Sequence, residues 1–333
     1  SMEISIKTKV KNILSRQWIA VLMGNILLFA VLAISQPAFL QVTNLVNILC
    51  QCSLFGIMAV GMTFVISTGG IDISVGMNAL FTMALMWRLY NVMPVWLVFI
   101  VVLLFGSLIG AVNGMLICYF NFPEMIATLA SMSILRGAGY LLLDTSQKFV
   151  QDELRIIGNS RVLGMIPTPT VIMILLCILG ALIMCYTRFG RYLLAVGGSK
   201  NSAEFSGINV KKVCMGAYII CGTCAALGGI VYAGRIGSIA PNSCQGYEFT
   251  VITAVVLGGT KMSGGKSSVV GSVLGCVFLY LIENAMTMLS VSSYYQTFAR
   301  AIMMLCAIAL DTATTMRAEA GIVKEKRARF LAQ

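Results

Sequence analysis

Apolar runs recur along nearly the whole chain, separated by short polar connections. A helix that crosses a bilayer needs roughly 17 to 25 predominantly apolar residues. The runs cover approximately 18–34, 45–67, 74–87, 94–119, 125–143, 170–186, 213–233, 249–260, 268–289 and 294–310. The third and eighth are short for a full crossing, and both adjoin glycine-rich breaks. The pattern predicts an all-α integral membrane protein of about ten transmembrane helices. It divides the chain into a cytoplasmic N-terminal segment (1–17), a membrane domain (18–310) and a basic cytoplasmic tail (311–333).

Five spans lie on each side of the longest outer connection, 144–169. Because five is odd, equivalent halves would run in opposite directions. Such inverted five-helix repeats are the plan of many transporters, whose sites lie where broken helices meet near the midplane. The second span of one half is followed by "STGGIDISVG" (67–76), and that of the other by "GRIGSIAPNSCQGYE" (234–248). Irregular backbone at membrane depth is stable only where protein or a water-filled cavity covers its N–H and C=O groups. The two breaks are therefore the first candidates for a solute path. The 144–169 connection has balanced charges and ends in "IPTP", a stiff entry to the next helix. It reads equally as a docking surface for an external partner and as a solvated lid.

Composition supports the same class. Of 333 residues, 59% are hydrophobic and 11% charged, where a soluble domain carries about 25% charged residues. The formal charge of +11 does not point to nucleic acid, because the charges follow the membrane. Lys7, Lys9, Lys11 and Arg16 precede the first span, and Arg188, Arg191, Lys200, Lys211 and Lys212 share one connection with Lys261 and Lys266 on the same side. Arg317, Lys324, Lys326, Arg327 and Arg329 follow the last span. Basic residues concentrate in cytoplasmic segments, and one orientation with both termini inside satisfies every cluster. The first apolar run leads into others, the mark of a retained span and not of a cleaved leader.

The eleven cysteines lie almost all inside apolar runs, with Cys244 alone in an outer connection, so no external disulfide framework is expected. Cys221-Gly-Thr-Cys224 has a metal-like spacing, but the chain has no second such pair and no histidine. It reads as small-residue helix packing, and no metal site is expected.

The stretch "LGGTKMSGGKSS" (257–268) invites a nucleotide-binding reading. A phosphate-cradling loop needs Gly, four residues, then Gly-Lys-Ser/Thr, so that backbone N–H groups wrap the phosphates while the lysine reaches the outer ones. Gly265-Lys266-Ser267 supplies the end, but Thr260 stands where the first glycine belongs.

Asp72 follows a double glycine between two apolar segments. A charge at the bilayer centre costs roughly 2.5–3.5 kcal/mol on insertion scales. Asp72 or Ser74 reads as a cap for the third span, or the carboxylate as an acceptor for a polar solute, and both can hold together. Arg136 lies inside the fifth span, Glu283 in the ninth and Arg300 in the tenth, near enough to helix ends to snorkel or to pair. Asn47, Gln51, Thr63, Asn78, Asn113, Thr128 and Asn284 add uncharged donors and acceptors, which join helices or suit a neutral polyhydroxylated solute.

The connection "RFGRYLLAVGGSKNSAEFSGINVKK" (188–212) is too long for a tight turn and mixes a short helical pattern with a glycine hinge at Gly197-Gly198. It reads as a basic anchor for membrane lipid, or as the surface through which a separate ATPase would act.

Four ordered blocks carry a resemblance: "IMAVGMTFVISTGGIDISVG" (57–76), "TRFGRYLLAVGGSKNSAEFSGINV" (187–210), "GRIGSIAPNSCQGYEFTVITAVVLGGTKMSGGKSSVVGSVLG" (234–275) and "SSYYQ" (292–296). From about residue 20 to Asp311 the chain resembles the permease subunit of bacterial ribose-type sugar ABC transporters. The resemblance implies ten helices in the cytoplasmic membrane, a second permease copy, a sugar-binding protein outside and an ATP-binding cassette subunit inside. ATP and Mg would bind that subunit, leaving this chain without a cofactor or catalytic residues. Residues 195–209 would be the coupling region, with Arg188, Arg191, Gly197, Gly198, Ser202, Glu204, Ser206 and Gly207 as its surface. The substrate pathway would draw on Asn47, Gln51, Thr63, Asp72, Ser74, Asn113, Thr128, Arg136, Glu248 and Asn284. Phe249-Thr250, Glu283-Asn284 and Ser199 depart from the family's common residues, which bears on the solute more than on the class. A monosaccharide is the first expectation; a nucleoside, polyol or signalling furanose, or a stand-alone ion-coupled carrier, are the alternatives.

Overall fold

The computed structural model describes residues 17–149, 152–162, 164 and 166–331. The sequence's second apolar run becomes α2 (Val42–Ser67), after α1 (Gln17–Ser35) and a 3-10 turn at Pro37–Leu40. Then come α3 (Val75–Leu89), α4 (Val95–Cys118), α5 (Glu124–Leu142), α6 (Asp152–Asn159) and α7 (Thr168–Tyr186). The 188–212 connection folds as α8 (Arg188–Gly198) and α9 (Lys200–Phe205). The chain continues as α10 (Val210–Ile236), α11 (Tyr247–Leu257), α12 (Val269–Met288) and α13 (Ser293–Leu331).

Eight of these helices are long and apolar enough to cross a membrane. The short third and eighth spans are α3, of 15 residues, and α11, of 11. The protein is an all-α integral membrane protein. One boundary differs from expectation: the last helix does not stop at residue 310 but runs on to Leu331, so the tail continues a helix. The expected N-terminal segment lies, but for Gln17, outside the described residues.

In α2, 89% of the most apolar stretch is buried, and 67% in α10, against 11% in α1 and 6% in α13. The second helix of each half is therefore the centre, and the two pack on each other. The remaining packing is unchanged when the halves are exchanged. α2 packs on α12 as α10 packs on α4; α3 on α10 as α11 on α2; α3 on α5 as α11 on α13. The two short helices also touch each other. Only the leading helices depart from this exchange, since α1 and α7 both pack on α12.

Apolar burial does not drive helices together in lipid, so close packing of small residues must. Gly106, Gly110 and Gly114 stand four apart on α4 and face α10. A Cβ on Gly106 would meet the Gly222 carbonyl oxygen at 2.7 Å, and one on Gly110 would overlap the Tyr218 carbonyl. At the far end, the 144–169 connection is tied down. Strand β1 (Gln147–Lys148) precedes α6; β2 (Arg161–Val162) and β3 (Ile166–Pro167) pair with each other, and β1 pairs antiparallel with β4 (Ser238–Ile239). Gly158 of α6 lies backbone to backbone against Gly234 of α10.

Candidate functional site

The break 68–74 starts at the end of the bundle that carries α8 and α9, hereafter the basic end. Gly69 lies against the Ser263 carbonyl there. The break then turns into the core, where the thiol of Cys221, in the middle of α10, neighbours Asp72. From the opposite end, residues 237–246 turn inward in the same way, with left-handed backbone at Gly237, Cys244 and Gly246. The N-termini of α3 and α11 thus meet inside the protein. A Cβ on Gly76 would overlap Glu248 Oε2 and come within 2.7 Å of the Cys244 carbonyl.

A helix N-terminus carries about half a positive charge, so two facing each other would repel. Each has a carboxylate beside it. Asp72 is buried and accepts hydrogen bonds from the Ser74 N–H at 2.9 Å and the Ser74 hydroxyl at 2.6 Å. Glu248 sits in the first turn of α11, 2% exposed, and its Oε2 has no hydrogen-bond partner among the described residues.

The Asp72 interaction belongs to a longer chain that runs one way. The Ser131 hydroxyl donates to Asn113 Oδ1, Asn113 Nδ2 donates to Ser74 Oγ at 2.9 Å, and Ser74 donates to Asp72. Donors oriented in series polarise one another toward the acceptor at the end, here Asp72 Oδ1. The chain ties the break to α4 and α5. Its outcome corrects one detail: Ser74 is the N-cap residue of α3, yet its hydroxyl gives its proton to Asp72 and accepts no helix N–H.

The other expected pathway residues are scattered. Asn47 sits at the outer end of α2, where Oδ1 accepts from Arg235 Nη2 at 2.6 Å. It lines a half-open cavity of about 320 Å3 with Thr43, Asn159, Arg161 and Arg235. Gln51 is half-buried one turn further in. The Thr63 hydroxyl oxygen lies 2.6 Å from the Ala59 carbonyl oxygen and 2.8 Å from Ser272 Oγ, joining α2 to α12. Thr128 is buried and bonds its own helix at the Glu124 carbonyl. Asn284 pairs with Asn44, donating to its Oδ1 at 2.8 Å, so its amide joins helices. Arg136 is half-buried on α5. Glu283 and Arg300 pair with each other at 2.7 Å between α12 and α13.

The glycine-rich stretch 257–268 lies at the basic end. It follows a helix, α11, and its glycines serve to reverse the chain and admit other backbone: Gly264 and Gly265 have φ of +81° and +77°. The Gly265 N–H donates to the Ser67 carbonyl at 3.1 Å. Gly197 of α8 lies in the same contact, where a Cβ would overlap the Ser67 carbonyl and the Gly265 nitrogen. The two glycines of the expected hinge differ in their surroundings. Gly197 is a packing point, while Gly198 faces open space with ordinary backbone. Lys200 adds an ion pair to Glu124 at 3.3 Å. Arg188, Arg191, Ser202, Glu204, Ser206 and Gly207 are exposed, Glu204 lining a groove with Glu124, Lys200 and Lys211.

Sequence reasoning missed Ser131, which completes the Asp72 chain, and Glu124, which receives the loop. Ser131 looks like any small polar helix residue, but Glu124 is the one acidic residue opening its span, a signal that was present.

Residues 44–308 match the family described as the permease component of the branched-chain amino acid transport system. The ribose import permease protein RbsC of Haemophilus influenzae is 38% identical, with 86% of this chain and 90% of the relative covered. RbsC of Escherichia coli K12 is also 38% identical, over 87% and 92%. The xylose transport system permease protein XylH of the same strain is 31% identical, over 84% and 87%. No solved structure matches. Two short helices meeting in the core, a basic loop set on Ser67 and the 264–265 turn, and this similarity over most of the chain agree: the chain belongs to the transport-system permease component family, beside the ribose and xylose permeases.

Proposed function

We propose that the chain is the translocating subunit of an ABC importer that carries a monosaccharide, a ribose-like pentose or a hexose, across the bacterial cytoplasmic membrane. The observation that carries this reading is the 38% identity to ribose import permeases over nearly nine-tenths of the chain. The core geometry supports it. The meeting of α3 and α11 is lined by neutral amides and hydroxyls around two carboxylates, groups that exchange hydrogen bonds with sugar hydroxyls without requiring a charged solute.

Asp72, Ser74, Asn113, Arg136 and Glu248 form the central part of the path, with Thr63 and Thr128 toward the basic end. Asn47 and Gln51 line the entrance, and Asn284 braces it. The basic end faces the cytoplasm, with both termini there; the membrane domain covers 18–310, flanked by 1–17 and 311–333. A second copy of the permease completes the membrane unit. A cassette subunit binds ATP and Mg and acts on Arg188, Arg191 and residues 197–207, and a sugar-binding protein docks on the opposite end over 144–169.

Reconstitution in proteoliposomes with the cognate cassette and binding-protein subunits tests the reading. ATP inside the cytoplasmic-side compartment should drive uptake of ribose or xylose. Uptake that needs no ATP and follows an ion gradient would replace the importer with a carrier. A thermal-shift screen of the binding protein against pentoses, hexoses, polyols and nucleosides identifies the solute.

A further inference from the structure

Phe205 is the most exposed large hydrophobic residue described, at 93%. It is the last residue of α9, which does not need it to fold. The Ser199 hydroxyl caps the helix start by accepting the Ser202 N–H at 3.2 Å. The helix end closes with the Ile208 N–H donating to the Ala203 carbonyl at 3.1 Å and the Gly207 N–H donating to the Glu204 carbonyl at 2.9 Å. That turn needs a left-handed residue, and Gly207 supplies it at φ +79°. The apolar contact that accompanies such a turn comes from Ala203, which is buried, and Ile208, which is half-buried. Phe205 contributes to neither the cap nor the contact.

The direction of its exposure follows from the loop's anchors. Gly197 rests on the Ser67 carbonyl at the end of α2, the most buried helix, and Lys200 reaches Glu124. The loop therefore crosses the middle of the basic end, whereas lipid meets the bundle around its rim. A side chain pointing away from those anchors projects from the end face. Residues 188–212 hold five basic side chains, Arg188, Arg191, Lys200, Lys211 and Lys212, against the single acid Glu204.

We propose that Phe205 is the anchor by which this loop grips the ATPase subunit, its ring filling an apolar pocket in that partner with acidic side chains at the rim. The inference rests on the importer reading above. Aromatic side chains are the commonest interfacial anchors, and a few such residues carry most of the affinity.

Co-expression of the full chain with its cassette subunit tests it. Phe205→Ala should insert and elute like the wild type yet bind the cassette about 30-fold more weakly, the loss typical of a truncated anchor. Phe205→Leu should recover most of the affinity. With p-benzoylphenylalanine at position 205 in the assembled complex, light should cross-link the chain to the cassette subunit. Cross-links confined to lipid, or to a second copy of this chain, overturn the anchor, as does a Phe205→Ala chain that holds the cassette as the wild type does. A wild-type chain that holds no cassette overturns the importer reading, and the anchor with it.

Discussion

Asp72 ends a chain of hydrogen bonds in which Ser131, Asn113 and Ser74 donate in series. Asparagine at 72 keeps an oxygen for the Ser74 donors but replaces the second carboxyl oxygen with an amide nitrogen that cannot accept a solute hydroxyl. Asp72→Asn should therefore assemble normally and lower uptake at least tenfold, whereas Asp72→Ala should also lose stability. Two stranded buried donors cost about 1–3 kcal/mol each. Uptake assays beside thermal unfolding of both variants separate these effects, and wild-type uptake by Asp72→Asn would leave only a structural role. Gly76 is the other decisive position. Its missing Cβ is the space that Glu248 Oε2 and the Cys244 carbonyl occupy, so Gly76→Ala should force α3 and α11 apart. Overpacking of this kind costs roughly 1–3 kcal/mol, read as a lower unfolding temperature together with reduced uptake. Asp72 was visible in the sequence as a charge after two glycines. Gly76 was not, because its importance lies in what approaches it from 172 residues away.

Between elements, backbone contact sets the geometry. α8 meets the end of α2 and the 264–265 turn through Gly197, while a Cβ on its neighbour Gly198 would meet nothing within 4 Å. Gly197→Ala should lift the loop and reduce solute-stimulated ATP hydrolysis in the assembled transporter. Gly198→Ala should leave it unchanged; equal behaviour of the two would show that the contact does not transmit. Glu204→Arg adds a cation to an already basic surface and should weaken cassette binding without altering insertion. A larger effect is expected on the α4 stripe, where Gly110→Leu would place a side chain inside the α10 backbone and leave little folded protein, measured as the monodisperse fraction in detergent. The sequence placed the loop and a short helical pattern within it, but neither its second short helix nor the α4 stripe. It did not separate Gly197 from Gly198, because two adjacent glycines look alike until a neighbour distinguishes them.

For the whole molecule, exchange of the two halves preserves most of the packing, and that repeat brings two interrupted helices to one place. In the 257–268 turn Thr260 stands where a phosphate loop needs glycine, helix α11 leads in, and the glycines hold other backbone. The isolated chain should neither bind nor hydrolyse ATP; hydrolysis that disappears in Lys266→Ala would overturn that expectation. The sequence by itself determined the membrane class, the ten spans to within a few residues at nearly every boundary, both breaks and the basic loop. Each of these depends on the transfer free energy of a local segment, which composition alone sets. Only the tertiary structure decided that α3 and α11 face each other, that Ser131 completes the Asp72 chain, that Glu283 pairs with Arg300, and that Phe205 stands free. Those outcomes depend on which backbones can approach closely, a property of pairs of distant segments that a one-dimensional pattern of apolar and polar residues does not contain.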